Sequence, residues 1–461
     1  MMSRSRFFIG LDVGTTTSKA VVFTESGEAV ASGRADTPWT LTALGTELDP
    51  RLLLISALDA VAAALAFCPD GEIAGLGVAG FAESGVLLDR HGEPVAPVIA
   101  WHDTRDTAEL ADLGKLVAPQ EFSATTGLPL RQQWSLTKHR WLVDNVPGTR
   151  NAVRRLNVAE WIVRGLGGDE ATEQSLASRT GWLRLADRTW WTDTLEWSGA
   201  TERLMPPLVT AGTSLGRVRA EIGPDRLSGA ALTVAGHDHQ AAAIGAGAGR
   251  TGDELDSCGT AEALVRTVAP ELPSQVVADL ADAGITTGWH AAADHWCLLG
   301  ATQGGLALQR VLAMLGRTRA DLPELDAAAM ALTKTAVRVH APAFGKIDIL
   351  GVGDGDGPEH IWRAALEAVT NQVAIIHDAM SELSGPHRRL VATGGWSRSE
   401  AFIEARRRRF GHVERPEVTE AGSRGAALLA GIAAGHHAHP AGGPLAFELD
   451  SPQTAISENH L

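Results

Sequence analysis

Cysteine is scarce in this chain: Cys68, Cys258 and Cys297 lie far apart, are odd in number and form no CxxC pair. That excludes a disulfide framework and a cysteine zinc motif, and it fits a reducing compartment. No stretch approaches the roughly 18 consecutive apolar residues of a membrane span. No GxxxxGK[ST] motif occurs, so the P-loop solution to phosphate binding is absent. Basic charge is also short. The 40 Lys and Arg against 55 Asp and Glu leave a net charge of −15, which argues against a non-specific nucleic-acid binder. The opening MMSRSRFFIGLDVG places basic residues before apolar ones, as an export signal does. Asp12 breaks the apolar run well short of the ~7 residues that a signal core needs. The expectation is a soluble, cytoplasmic protein with neither nucleic acid nor membrane as partner.

What is present is an ordinary globular composition, 44% hydrophobic and 21% charged. At 461 residues the chain exceeds one typical core, so two or more domains are expected. In FFIGLDVGTTTSKAVVF, Phe7 to Leu11 and Lys19 to Phe23 read as strands joined by a polar turn. A surface hairpin would explain the turn. It would not explain Asp12 at the end of an apolar strand followed by Thr15, Thr16 and Thr17. Hydroxyls and free backbone N–H groups in a tight turn suit phosphate oxygens, and a carboxylate beside them calls for a divalent cation.

Further along, residues 51–66 read as a helix, 73–81 as a buried strand, and 84–105 as two strands around the turn DRHGEP. Residues 106–225 are more helical, and 230–249 read as strand, sharp polar turn and alanine-rich helix. A second unit begins near Gly252, where DELDSCGTAEALV loosely repeats the opening theme of strand, Gly-Thr, strand. Residues 362–383 have helical apolar spacing, 388–410 read as strand, glycine turn and helix, and 421–435 as a small-residue helix. The alternation predicts an α/β protein with two similar domains, residues 1–250 and 251–461, and a ligand between them.

Five turns follow strands, at 12–17, 101–105, 236–239, 258–260 and 393–396. Taken in order, they resemble the FGGY carbohydrate kinase family, ATP-dependent kinases of sugars and polyols. The likeness covers roughly residues 7–435 and implies two actin-like (ribonuclease H-like) ATPase domains with a cleft between them. DVGTTTSK resembles the family's first phosphate loop, implicating Gly14, Thr15, Thr16, Thr17 and Lys19, with Asp12 holding Mg²⁺ through water. AGHDHQAAAIGAG places Asp238 on the family's catalytic aspartate, also beside the magnesium. In isolation this aspartate also reads as a helix N-cap. A base near the attacking hydroxyl, in line with the γ-phosphate, is what phosphoryl transfer requires. SCGTAEAL resembles the second phosphate loop through Gly259 and Thr260. ATGGWSRSEAF resembles the adenosine loop through Gly394, Gly395 and Ser399, and GATQGG resembles a further nucleotide-side turn, with Gly300 its candidate. Taken singly, each could be an ordinary strand-to-helix glycine turn.

The implied acceptor pocket contains Glu83, Trp101, Asp103, Gln133 (or Trp134), Asp238 and His239. It departs from glycerol kinases, which carry Arg-Glu where this chain has Ala82-Glu83, and from xylulokinases, which carry Met-His. Asp103 either pairs with Arg105 or reaches substrate hydroxyls. The resemblance thus implies a sugar kinase using ATP and Mg²⁺ on a xylulose-like ketose or polyol. Alternatives are a gluconate or other sugar-acid kinase, which would need a cation in the pocket, and a non-catalytic ATP and sugar sensor. A homodimer is one assembly left open. Other motifs are weaker. GTSLG around Ser214 lacks the strand–turn–helix context of a hydrolase. His237 and His239 have no evident third metal ligand, RRRR (406–409) reads as a solvated helix face, HHAH (436–439) lies in a frayed tail, and DGDGP lacks EF-hand spacing.

Overall fold

The structure is a computed structural model, described for residues 5–342 and 344–436. The opening alternation forms an antiparallel meander, β1 (Arg6–Val13), β2 (Thr17–Thr24) and β3 (Ala29–Asp36). Two parallel strands, β4 (Glu72–Gly80) and β5 (Ala231–His237), extend it beyond β1 to give the order β5-β4-β1-β2-β3. Helix α1 (Pro50–Leu65) starts where Asp49 accepts a hydrogen bond from Arg51 N and Pro50 presets the first helical φ. It packs on one face of this sheet, where Leu53, Ala57 and Val61 join Ile9, Leu11 and Val22 in the core. At the far end of β5, α2 (Asp238–Gly245) begins with no intervening loop.

The second sheet repeats the plan. Strands β6 (Asp253–Cys258), β7 (Glu262–Val268), β8 (Thr286–Trp289) and β9 (Trp296–Thr302) pair antiparallel, and β10 (Arg389–Thr393) and β11 (Val413–Glu414) run parallel to β6. Helices α3 (Gly304–Met314), α4 (Pro358–Ser384) and α5 (Glu400–Phe410) share its core, built on Leu308, Trp362, Val369, Trp396 and Phe402.

The last helix, α6 (Ala421–Ala433), returns to the first sheet. A Cβ on Gly10 would overlap the Ser423 carbonyl, and one on Gly77 that of Ala426, so glycine on the strands is what lets this backbone lie so close. Chain order alone assigns residues 421–433 to the second domain, and packing assigns them to the first sheet. The exposed edge of the second sheet, β8, is met by first-domain groups: Thr287 N donates to Gly127 O (2.7 Å), Trp289 N to Ser178 Oγ (2.9 Å) and Gln174 Nε2 to His290 O (2.9 Å).

One expectation is met with a detail and one changes. The two strands flanking DRHGEP are present, but their arms are linked through a Leu88–Pro94 bridge and Val95 N donating to Leu87 O (3.0 Å): Gly85–Leu88 pairs with Arg154–Asn157 and Val98–Ile99 with Gly45–Leu48. Pro94 and Pro97, which lack N–H donors, interrupt the returning arm. Within RRRR, Arg406 is fully buried and only Arg407, Arg408 and Arg409 face solvent. The HHAH tail lies outside the described residues beyond His436. No helix among the described residues is long and apolar enough to cross a membrane.

Candidate active site

Asp12 and Asp238 meet at the carboxyl ends of parallel strands, where open α/β sheets bind ligands. In register, Asp12 pairs with Ala79 on β4 while His237, the residue before Asp238, pairs with the adjacent Gly80. Two strand spacings separate their backbones by roughly 10 Å. The Asp12 carboxyl is pushed up to about 7, first by burial, then by the charges of Asp238 and Glu420, against the opposing pull of Lys19. Its Oδ1 is buried without a hydrogen-bond partner. Lys19 does not reach that oxygen, because its Nζ is ion-paired with Glu420 at the start of α6. Asp238 behaves oppositely. Burial pushes its carboxyl up, but His239, His237 and Arg179 together outweigh that and hold it below the ordinary carboxylate range. The His239 N–H donates to Asp238 Oδ1 at 2.6 Å, and His237 Nε2 lies 3.2 Å from the same oxygen. Burial lowers His237 to about 3, so it is neutral.

The donor set fits a hard divalent cation. It offers an ionised carboxylate, a second carboxyl raised first by burial and then by the Asp238 charge, and a buried oxygen lacking a partner. Among the described residues no three His, Cys, Asp or Glu side chains converge in a metal-holding cluster. Two carboxylates with water as the remaining ligands is how magnesium is commonly held.

The turn after Asp12 is braced from outside. Gly14 N donates to Thr17 O (3.1 Å), Thr37 Oγ1 to Gly14 O (2.7 Å), Trp39 Nε1 to Thr15 O (2.6 Å) and Trp101 Nε1 to Thr15 Oγ1 (3.0 Å). The turn's carbonyls are thereby occupied. The N–H groups of Thr15 and Thr16 meet no protein acceptor among the described residues, and Thr16 is exposed. A rigid turn presenting free N–H and hydroxyl donors can cradle phosphate oxygens.

Beside it lies the predicted acceptor pocket. Glu83 is buried at a left-handed φ of 68°. Its Oε1 accepts from Gln133 Nε2 (3.2 Å) and from Arg179 Nε (2.7 Å), and is ion-paired with Arg179 Nη2 at 2.6 Å. Arg179 escaped the sequence reading: it follows the short helix Gln174–Ala177 and brings into the pocket the guanidinium that Ala82 lacks. Arg131 adds another, donating through Nε to Gln133 Oε1 (3.1 Å), while Arg131 and Arg179 lie over the Trp134 ring. Asp103 takes the first of its two alternatives. Both its oxygens accept from Arg105 (2.9 and 3.0 Å), and Oδ2 also accepts from Thr46 N (2.6 Å), so its lone pairs are committed within the protein. His239 stands edge-on to His237 with ring centroids 5.4 Å apart.

The second sheet brings three turns together. Gly259 N donates to Ala261 O (2.9 Å), which leaves Thr260 exposed at the tip between β6 and β7. Gly394 has φ 88°, and a Cβ there would overlap the Cys258 carbonyl. A Cβ on Gly305 would overlap Gly259 O, so Gly305, the last residue of GATQGG, joins the cluster. Gly395 faces Arg319, whose guanidinium lies 4.2 Å over Trp396. Two expected residues fall elsewhere. Gly300 lies inside β9 against Ile376 of α4 instead of in the turn, because the strand runs on to Thr302. Ser399 is buried, and its Oγ accepts from Phe402 N (3.1 Å) as the N-cap of α5. Beneath the β6–β7 turn, Arg406 binds Asp256 Oδ2 (2.8 Å), Glu262 Oε1 and Thr370 Oγ1 (2.7 Å). Burial and Asp256, against Arg406, push Glu262 up to about 7.

Ser214 lies exposed in a turn with no helix behind it, and no described acid or histidine hydrogen-bonds to it.

Comparison with known proteins agrees with this geometry. Residues 7–245 match the N-terminal domain of the FGGY family of carbohydrate kinases, and residues 327–434 match its C-terminal domain. The chain is 28% identical over 460 residues to a glycerol kinase of Beutenbergia cavernae, covering 93% of this chain and 89% of that one. Its fold matches a xylulose kinase from Rhodospirillum rubrum (TM-score 0.80, 23% identity, 93% and 92% covered). It also matches a Plasmodium falciparum glycerol kinase solved with ADP (TM-score 0.82, 20% identity, 94% and 90% covered).

Proposed function

This chain belongs to the FGGY family of carbohydrate kinases, phosphotransferases with an alcohol group as acceptor, and from that premise we propose that it moves the γ-phosphate of ATP to a hydroxyl of a polyol or ketose, with Asp238 as base. The observation that carries this reading is the Asp12–Asp238 pair at the carboxyl ends of parallel strands, Asp238 held ionised and Asp12 raised by burial and by the Asp238 charge. Asp238 Oδ1 is held by its own helix, which leaves Oδ2 to accept the acceptor's proton as the oxygen attacks. Asp12 and Asp238 would hold magnesium through water, and when bound that ion neutralises charge on the β- and γ-phosphates. Gly14, Thr15, Thr16 and Thr17 would face those phosphates from the first domain (1–250), and Gly259 and Thr260 from the second (251–461). Gly394 and Gly395 would admit the adenosine. Closure of the two domains over the site would exclude water and suppress idle ATP hydrolysis.

Glu83, Gln133 and His239 give the acceptor pocket a surplus of groups suited to hydroxyls, with the Trp101 face against C–H. Neither a glycerol-like nor a xylulose-like acceptor is favoured by these residues. A second reading, transfer to a sugar acid such as gluconate, is supported by Arg131, whose Nη1 and Nη2 meet no protein partner among the described residues beside Gln133.

The test is ADP release from Mg-ATP with glycerol, D-xylulose and D-gluconate, for the wild type and Asp238→Asn. One acceptor should stimulate turnover, and the variant should lose roughly 10²-fold or more of it while still binding ATP. ATP binding without turnover on any acceptor would favour a sensor.

A further inference from the structure

We infer that Arg179 positions Glu83 for the acceptor's hydroxyl groups and anchors that pocket to the second domain through Thr286. Glu83 is buried, and an ionised carboxylate there needs a paired cation. The adjacent chain offers none, since the preceding residue is Ala82. Arg179 supplies it from 96 residues away, through Nε and Nη2 on the same oxygen at 2.7 and 2.6 Å. Gln133 Nε2 also donates to Oε1, at 3.2 Å, beside the Arg179 Nε donor. Oε2 has no protein donor among the described residues and is the oxygen left for a substrate hydroxyl.

The guanidinium is itself fixed from two further directions. Its Nη1 donates to Thr286 Oγ1 at 2.6 Å, and that hydroxyl donates to Leu299 O at 3.2 Å, inside the second sheet. Its plane lies 5.0 Å from the Trp134 ring centroid. A planar fork holds Glu83 and Thr286 at once in a fixed geometry, which the compact, freely rotating ammonium of a lysine would not reproduce. The left-handed backbone of Glu83 is a conformation that costs a non-glycine residue about 1 kcal/mol or more. It aims this one side chain toward Arg179 and departs from the otherwise regular strand end. Arg179 thus acts through Glu83 on acceptor binding and is not itself the base.

This inference rests on the kinase reading. The experiment measures steady-state kinetics with whichever of glycerol, D-xylulose or D-gluconate the wild type uses best, on Arg179→Met, Thr286→Val, Glu83→Gln and the Arg179→Met/Glu83→Gln double variant. Arg179→Met should raise acceptor KM about tenfold or more with ATP KM within about twofold, and Thr286→Val should raise it about threefold. In the Glu83→Gln background, Arg179→Met should add less than about twofold, because its target is gone. An unchanged acceptor KM in Arg179→Met, or a full additional effect on Glu83→Gln, overturns the inference and leaves the kinase reading intact. If Arg179→Met does not fold, Thr286→Val, which loses only the hydroxyl and its two hydrogen bonds, decides by the same KM shift. A wild type that turns over none of the acceptors overturns both.

Discussion

Asp12 gives the sharpest link between the geometry and a measurable quantity. Its carboxyl moves from an ordinary 3.8 to about 7, with burial the first cause and Asp238 the second. A carboxyl whose folded-state value is raised holds its proton longer in the fold than in the unfolded chain. Between pH 4 and 7 the folded state therefore binds more protons, and stability falls as pH rises through that window and is flat above it. Converted directly, the shift is worth about 4 kcal/mol, and because Asp12 as a whole is only part-buried the screened value is about 2 kcal/mol. Asp12→Asn removes the titration but keeps the shape. The assay is urea denaturation followed by tryptophan fluorescence at several pH values from 5 to 8, in EDTA and in excess MgCl₂. In EDTA the wild type should lose about 2 kcal/mol more than Asp12→Asn between the two ends of that range. In magnesium the difference should shrink or vanish, because a bound cation stabilises the ionised pair. Parallel wild-type and variant slopes in EDTA would refute the assignment of Asp12 as a buried, Asp238-coupled carboxyl. A slope that magnesium leaves untouched would refute it as part of a cation site.

Two further outcomes follow from the second domain. Gly394→Ala places a Cβ at φ 88° against the Cys258 carbonyl, which should destabilise the protein by about 2 kcal/mol and raise KM for ATP far more than KM for the acceptor; thermal unfolding and steady-state kinetics check this. Arg406→Met leaves Asp256 and Glu262 buried without their cation and should cost about 3–5 kcal/mol by urea denaturation, whereas Arg409→Ala, at the exposed end of the same run, should cost under about 1 kcal/mol.

How much of this the sequence carried depended on how far each residue's partner lies along the chain. The β1–turn–β2 unit, the direct passage from β5 into α2 and the β6–turn–β7 unit are local. Alternation, glycine and hydroxyls in a short window specify them, and Asp12 and Asp238 stand out because a carboxylate at the end of an apolar strand has no packing reason to be there. Gly300 and Asp103 are assigned by partners that no window contains. Gly300 is excluded from its turn by Ile376, and the Asp103 carboxylate is taken by Thr46 as well as by nearby Arg105. Ser399 differs in kind: its partner, Phe402 N, is only three residues on, and a serine directly before a helix is a local N-cap signal.

The same distance effect explains the two largest omissions. Arg179, in the small-residue run SLASRTG, carries no local mark of function, since its meaning comes from Glu83 on one side and Thr286 on the other. Helix α6 reads correctly as small-residue helix, but its place on the first sheet is encoded in Gly10 and Gly77, more than 300 residues earlier. That return matters for the chemistry. It brings Glu420 onto Lys19 and Gly422 against Asp12, so a residue that chain order assigns to the second domain helps set the charge state of the first domain's candidate magnesium carboxylate. Exchanging Glu420 for Gln should therefore lower the pH window of the Asp12 effect, because one of the two carboxylates that raise it is gone while Lys19 remains. The same denaturation series in EDTA reads that shift directly, and an unmoved window would place α6 outside the electrostatics of the site.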